Sequence, residues 1–260
     1  MYCLSNYIVL LQNALSSGYI FAPFSKNIIN EQKSGICVLR HDVDNDLSAA
    51  LKMAKAESKI GISATYFFML RSPCYNLMSR QNHLYVNEII NLGHNVGLHY
   101  DQAFDSIRNI STEDTSCLIH DEASWIEKNF QISVSAVSFH QPSSVVFQEG
   151  IDCGSRINTY DPNVFNEFVY VSDSNRVFPL LENDETTGNN PFAKKLNGLK
   201  KLWPKNFQLL IHPMWWVYDN QTTEEVWNEV IKSNFYQMQI QLLKTERAFG
   251  KKREFKLTFS

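Results

Sequence analysis

Two aspartates spaced two apart close an apolar run in the stretch CVLRHDVDND, Cys37 to Asp46, directly after Arg40 and His41. On an extended backbone Asp42 and Asp44 project to one side, with His41 and Val43 on the other. Two carboxylates that close are not both free and ionised unless a cation separates or pairs them. A metal ion on one leaves the other available as a base. Asp46 reads differently: with Ser48 it stands at the start of the next helix, as an N-cap. Further along, His99 follows Gly97 and Leu98 in GHNVGLHYD, His140 sits in SFHQPS, and His212 in LLIHP ahead of Pro213. Neutral imidazole with carboxylate is a common ligand set for zinc and related divalent ions. A histidine emerging from a buried strand, as His212 does, suits a general acid near neutral pH. Trp215 and Trp216 beside it read equally as core or as a wall on which a sugar stacks. His94 reads as structural at a helix-to-strand turn, and His83 and His120 fall on helices.

These residues need strands to deliver them. GICVLRHD, SATYFFML, NVGLHYD, VSAVSFHQPS, NEFVYVSDSN and NFQLLIHPMWW read as short, mostly apolar strands. Between them, SAALKMAKAESKIG, NHLYVNEIINLGH (apolar at Leu84, Ile89, Ile90 and Leu92) and TEDTSCLIHDEASWIEKNF (capped by Ser111 or Thr112) read as helices. A long helix with a basic tail closes the chain from about 220 to 260. Such alternation predicts an α/β fold with a mostly parallel sheet. Neither a GxGxxG nor a GxxxxGKS pattern is present, which favours a barrel over an open nucleotide-binding sheet. The expectation is one domain over 1–260, with residues 1–35 as an N-terminal helix and lead-in. In an α/β barrel the carboxyl ends of the strands converge on one face. Four of the seven histidines, His41, His99, His140 and His212, stand at such ends.

Composition sets the outer bounds. Of 260 residues, 44% are hydrophobic and 20% charged, an ordinary globular balance. A net charge of -3 without a long basic run gives a nucleic-acid surface no electrostatic support. No apolar stretch reaches the roughly eighteen residues that span a bilayer, so no transmembrane segment is expected. The N-terminal MYCLSNYIVLLQNALSSGYIF reads as an amphipathic helix ending near Gly18 rather than an export signal. Five irregularly spaced cysteines make no disulfide framework or zinc knuckle. Cys37, Cys117 and Cys153 are read as small buried residues, and a cytoplasmic location is expected. Residues from about Leu181 to Lys201 read as a polar surface excursion.

The motifs RHDVD, GHNVGLHYD, SFHQPS and LLIHP, in this order and spacing, resemble the polysaccharide deacetylase family, also called NodB-homology proteins. The resemblance runs from about Cys37 to Trp216. It implies a distorted (β/α) barrel of about seven units, holding one divalent metal, usually zinc, that removes acetyl groups from N-acetylated sugars. Carried over by position, Asp42 is implied as the catalytic base and His212 as the general acid. Asp44 and His99 are implied as metal ligands. The family's further histidine, four residues on from the first, is here Ala103. His140 is the preferred third ligand and Asp101 the runner-up. The family's arginine-containing third motif is here FHQP, and Arg40, on the same side of the strand as Asp42, could supply that charge. These departures resemble a divergent branch of homologues from bacterial surface-polysaccharide gene clusters. The implied function is hydrolysis of an acyl amide on a sugar or sugar-derived molecule. A non-sugar C–N bond, or a non-catalytic carbohydrate-binding relic, stays open.

Overall fold

The computed structural model describes residues 2–25, 35–108, 111–144, 146, 150–165, 168–178, 205–219 and 222–249. The polar stretch expected as a surface excursion, from about 181 to 201, lies outside them, as does the basic tail beyond 249.

Eight strands make one parallel sheet: β1 (Ile20–Phe21), β2 (Ile36–Val43), β3 (Thr65–Phe68), β4 (Asn95–Asp101), β5 (Ala136–His140), β6 (Ile157–Asn158), β7 (Val169–Ser172) and β8 (Asn206–Ile211). Their order is β6-β5-β4-β3-β2-β8-β7, and β1 pairs with the lower end of β2, below the point where β3 begins. Among the described residues the α-helices are α1 (Leu4–Ser16), α2 (Leu47–Lys59), α3 (Arg80–Asn91), α4 (Ala103–Arg108), α5 (Thr112–Phe130), α6 (Pro162–Phe165), α7 (Pro213–Val217) and α8 (Thr223–Thr245). No helix among the described residues is long and apolar enough to cross a membrane. The sheet curls into the expected barrel. From the middle of β2, Arg40 touches both ends of it: Thr159 and Tyr160 just after β6, and the Tyr170 ring on β7.

Alternation along β2 builds the interior in layers. Ile36 and Val38 join Ala22, Phe24, Phe67, Ala136 and Ile157 in an apolar plug at the lower end. Phe24 lies edge-on to Phe67 at 5.6 Å and to Phe165 at 5.8 Å between ring centroids. Gly97 on β4 makes room for this plug, because a Cβ there would overlap the Phe67 ring. Above it come Arg40 and then Asp42. The alternate residues Cys37, Leu39 and Val43 pack outward into the larger core beneath the helices. Strand direction and side-chain period together carry the polar residues to one end.

The outward face holds a polar cluster. His41 is buried there, with Nε2 at 2.7 Å from Glu57 Oε1 of α2 and Nδ1 at 3.1 Å from the Ile211 carbonyl. Tyr7 of α1 and Tyr66 of β3 donate hydroxyl hydrogen bonds to the same carboxylate. Burial works against ionising Glu57, but His41 beside it holds its pKa below the usual value. His94, read as structural, donates from Nε2 to the Ala54 carbonyl at 3.0 Å and accepts from the Ala64 N–H at 3.2 Å.

Several local expectations hold. Asp46 caps α2, its Oδ1 accepting from the Ser48 and Ala49 N–H groups at 2.8 and 3.0 Å. Ser111 caps α5. Trp215 and Trp216 are core, at 7% and 0% exposure, and not a stacking wall. Other expectations need correction. Cys117 is exposed rather than buried, because it lies on the outer face of α5. The closing helix ends at Thr245.

Candidate metal centre and catalytic site

β2 delivers Arg40 and Asp42 on its inward face, and the chain turns just beyond it at Asp44. The register pairs His99 of β4 with Ser138 of β5, and His140 follows two residues after Ser138 on the same face. On the other side, Ile211 of β8 pairs with His41, so His212 emerges level with Asp42. His99, His140 and His212 therefore meet around Asp44. His41 does not join them: it points outward into the Glu57 cluster, so three of the four strand-end histidines converge.

Asp42 is 3% exposed, and its Oδ2 is held from two sides. Arg40 Nη2 lies 3.2 Å from it and Ser138 Oγ donates to it at 3.0 Å. Arg40 is itself anchored: Nη2 donates to the Tyr160 hydroxyl at 2.7 Å and Nη1 to Gln208 Oε1 at 3.0 Å and to Thr159 Oγ1. Its guanidinium carbon sits 4.7 Å from the centre of the Tyr160 ring. Asp42 Oδ1, by contrast, is buried and makes no protein hydrogen bond.

Asp44 is surrounded by imidazoles. Its Oδ1 lies 3.0 Å from His99 Nε2 and 3.4 Å from His140 Nδ1, and its Oδ2 lies 3.8 Å from His212 Nε2. Burial opposes ionisation of Asp44, but His140, His99 and the charge of His212 hold its carboxyl well below the usual range. Reciprocally, the Asp44 carboxylate beside it raises the His140 pKa.

Asp173, just after β7, completes the arrangement. It is buried at 0% exposure, its Oδ1 lies 2.6 Å from His212 Nδ1, and it also accepts from the His212 backbone N–H and the Trp216 indole N–H. Burial draws His212 toward the neutral form, but the Asp173 charge and hydrogen bond outweigh it and push the pKa up to about 9. With Nδ1 committed to Asp173, Nε2 is the atom turned toward Asp44. Asp173 closes the strand read from NEFVYVSDSN, but nothing local in the sequence gives it a partner or marks Ser138, Tyr160 and Gln208 as members of the site.

One donor atom each from Asp44, His99 and His140 lies within 4.8 Å of the others. Zinc–ligand bonds of about 2.0–2.2 Å put neighbouring tetrahedral ligand atoms about 3.3–3.6 Å apart; the 3.4 Å separation is of that size and the 3.0 Å one a little shorter. Asp44 Oδ1 is buried and receives no well-aligned hydrogen bond despite its two imidazole neighbours. A carboxylate and two imidazoles around such an atom fit a divalent ion. Asp101, the other candidate for third ligand, turns its Oδ1 to the Ala103 N–H at 3.2 Å, at the start of α4.

Neither a family model nor a curated protein matches the chain. Distant likenesses exist among solved structures. A CE4 family pseudoenzyme from Bacillus anthracis matches with 14% identity and a TM-score of 0.43, over 84% of this chain and 66% of that one. The chitin deacetylase from the fungal pathogen Colletotrichum lindemuthianum matches with 13% identity and a TM-score of 0.43, over 82% and 86%. A family 4 acetyl xylan esterase from Clostridium thermocellum, in complex with a cobalt ion, matches with 14% identity and a TM-score of 0.38, over 80% and 90%.

Proposed function

We propose that this chain is a metal-dependent amide hydrolase of the polysaccharide deacetylase type, removing an acyl group from an N-acylated sugar or a related amide. The observation that carries the reading is the separation of the two aspartates' partners. Asp42 is bound by Arg40 and Ser138, whereas Asp44 is ringed by His99, His140 and His212. One carboxylate is thereby prepared for protons and the other for a cation.

Asp44, His99 and His140 are the proposed ligands and zinc the proposed ion. When bound, it would supply Lewis acidity toward the acyl carbonyl and a water nucleophile at neutral pH. Asp42 accepts the proton of the attacking water at Oδ1, the oxygen that makes no protein hydrogen bond, while Arg40 and Ser138 hold Oδ2 in place. His212 donates a proton from Nε2 to the departing amine as the C–N bond breaks, and Asp173 keeps the ring in the orientation that allows it. The products are the free acid and the amine. A cytoplasmic role in surface-polysaccharide biosynthesis is the proposed setting. Five free cysteines suit a reducing compartment, and the motif order resembles homologues from such gene clusters.

Acid release from a panel of N-acylated sugars by zinc-loaded protein tests the reading. Turnover is expected, and an Asp42→Asn protein should lose it while keeping its metal. Glycan binding with neither metal nor turnover identifies a carbohydrate-binding relic instead.

A further inference from the structure

Asp44 lies past the point where the sheet can hold it. The pairing of β2 with β8 ends at His41 and Ile211, and its pairing with β3 ends at Val43 and Phe68. Asp46 then caps α2, so Asp44 and Asn45 span the gap between strand and helix without a ladder of their own. A ligand set needs its carboxylate fixed to within a fraction of an ångström, and a free loop does not supply that.

Side chains from distant segments take over there. Three successive carbonyls accept from three different residues: Val43 from the Tyr75 hydroxyl at 2.6 Å, Asp44 from Ser72 Oγ at 2.7 Å, and Asn45 from Asn234 Nδ2 of α8 at 2.7 Å. The partners stand 32, 28 and 189 residues away in sequence. The backbone is thus held before, at and after the residue whose carboxylate faces His99 and His140.

Both hydroxyls are themselves aimed. Tyr75 accepts from the Met69 N–H at 3.0 Å, which turns its own hydrogen toward Val43 and bridges the ends of β2 and β3. Ser72 accepts from the Cys74 N–H at 3.1 Å and gives its hydrogen to Asp44. The segment that carries them is anchored at its start, where Arg71 pairs with Glu122 of α5 and lies 4.2 Å from the centre of the Phe104 ring.

We propose that Tyr75, Ser72 and Asn234 are positioning residues of the metal centre, clamping the backbone around Asp44 so that its carboxylate is presented to an ion shared with His99 and His140. The inference rests on the reading of those three residues as ligands, and metal affinity rather than turnover tests it. Partners that orient a ligand are worth roughly ten- to a hundredfold in affinity.

The test is the zinc dissociation constant of the whole, metal-stripped chain, measured by competition with a chromophoric chelator. Tyr75→Phe, Ser72→Ala and Asn234→Ala should each weaken zinc by about tenfold, and Tyr75→Phe with Ser72→Ala by about a hundredfold. Ser72→Thr keeps a hydroxyl and should restore the wild-type value. Ser63→Ala is the control: it removes a hydroxyl bond to the Gly93 carbonyl, 2.7 Å long, at the opposite end of β3, and should leave the affinity unchanged. A merely structural role would lower the urea midpoints of the metal-free variants and leave zinc affinity as in the wild type. That result overturns the proposal, as does an equal loss in Ser63→Ala or a failure of Ser72→Thr to rescue. Should Tyr75→Phe not fold, the Ser72 pair decides alone. Zinc bound by the wild type, lost in Asp44→Ala and indifferent to the clamp overturns the clamp and leaves the ligand reading standing. A wild type that binds no zinc overturns both.

Discussion

The guanidinium of Arg40 lies 3.2 Å from the carboxylate of Asp42, two residues along the same strand, and both side chains are buried. Removing one member of a buried pair leaves the other charge uncompensated, at a cost of about 3–5 kcal/mol. Arg40→Met should therefore destabilise the protein by about that amount, read from urea unfolding. If the unfolding midpoint hardly moves, Arg40 is not the cation that keeps Asp42 in place.

Metal content separates the two candidates for third ligand. Purified protein is expected to hold about one equivalent of zinc by elemental analysis. His140→Ala and Asp44→Ala should lose it, whereas Asp101→Ala should keep it, because that carboxylate already serves the Ala103 N–H. Zinc retained in His140→Ala would move the ligand set elsewhere. Saturating zinc at a hundred times its Kd adds about 2.7 kcal/mol to the wild type, so its Tm should rise with added metal and that of Asp44→Ala should not.

The His212–Asp173 pair predicts a pH profile. In the proposed mechanism His212 acts in its protonated form, and its pKa near 9 keeps that form dominant until the pH rises through that value. Asp173→Asn removes the strongest influence raising it. The alkaline limb of kcat should then move down by on the order of one to two pH units. An unchanged limb would take His212 out of the proton-donor role. The same substitution leaves the buried Trp216 indole N–H without its acceptor, at about 1–3 kcal/mol of stability.

A second titrating group lies away from the site. Glu122 of α5 pairs with Arg71, yet burial pushes its carboxyl up to about 7, outweighing the guanidinium. Its folded-state pKa lies above the ordinary 4.5, so the folded protein keeps a proton that the unfolded chain has released. Stability from this group is present below pH 4.5 and falls as the pH climbs to 7, by at most about 3 kcal/mol. Glu122→Gln mimics the protonated form. Urea midpoints at pH 5 and pH 8 should converge in that variant and differ in the wild type.

Local signals made the strand of the candidate site legible. The side-chain period of β2 placed Arg40 and Asp42 together, and the step from Asp44 to Asp46 separated a site residue from a cap. His99, His140 and His212 were found because strand ends were recognised. What stayed hidden depends on distant pairing. Asp173 meets His212 across 39 residues, and Arg40 meets Thr159 and Gln208 across 119 and 168. His41 stands at a strand end like the other three, but alternation along β2 turns it to the side opposite Asp42, as its sequence position implies. Its partner Glu57 falls on the same helical stripe as Ala50, Met53 and Ala54, which is the trace it left in the sequence. The strands β1 and β6, two residues each, are too short to show a period.

The plug of Phe24, Phe67 and Ile157 under Arg40 gives the barrel a floor. Among the described residues that floor closes the lower end, so a molecule that reaches Asp42 comes and goes by the other. Traffic through the site is single-file in this sense: if the chain cuts an amide, the fragment nearer the opening has to clear before the deeper one, and a lingering glycan would trap the small acid beneath it.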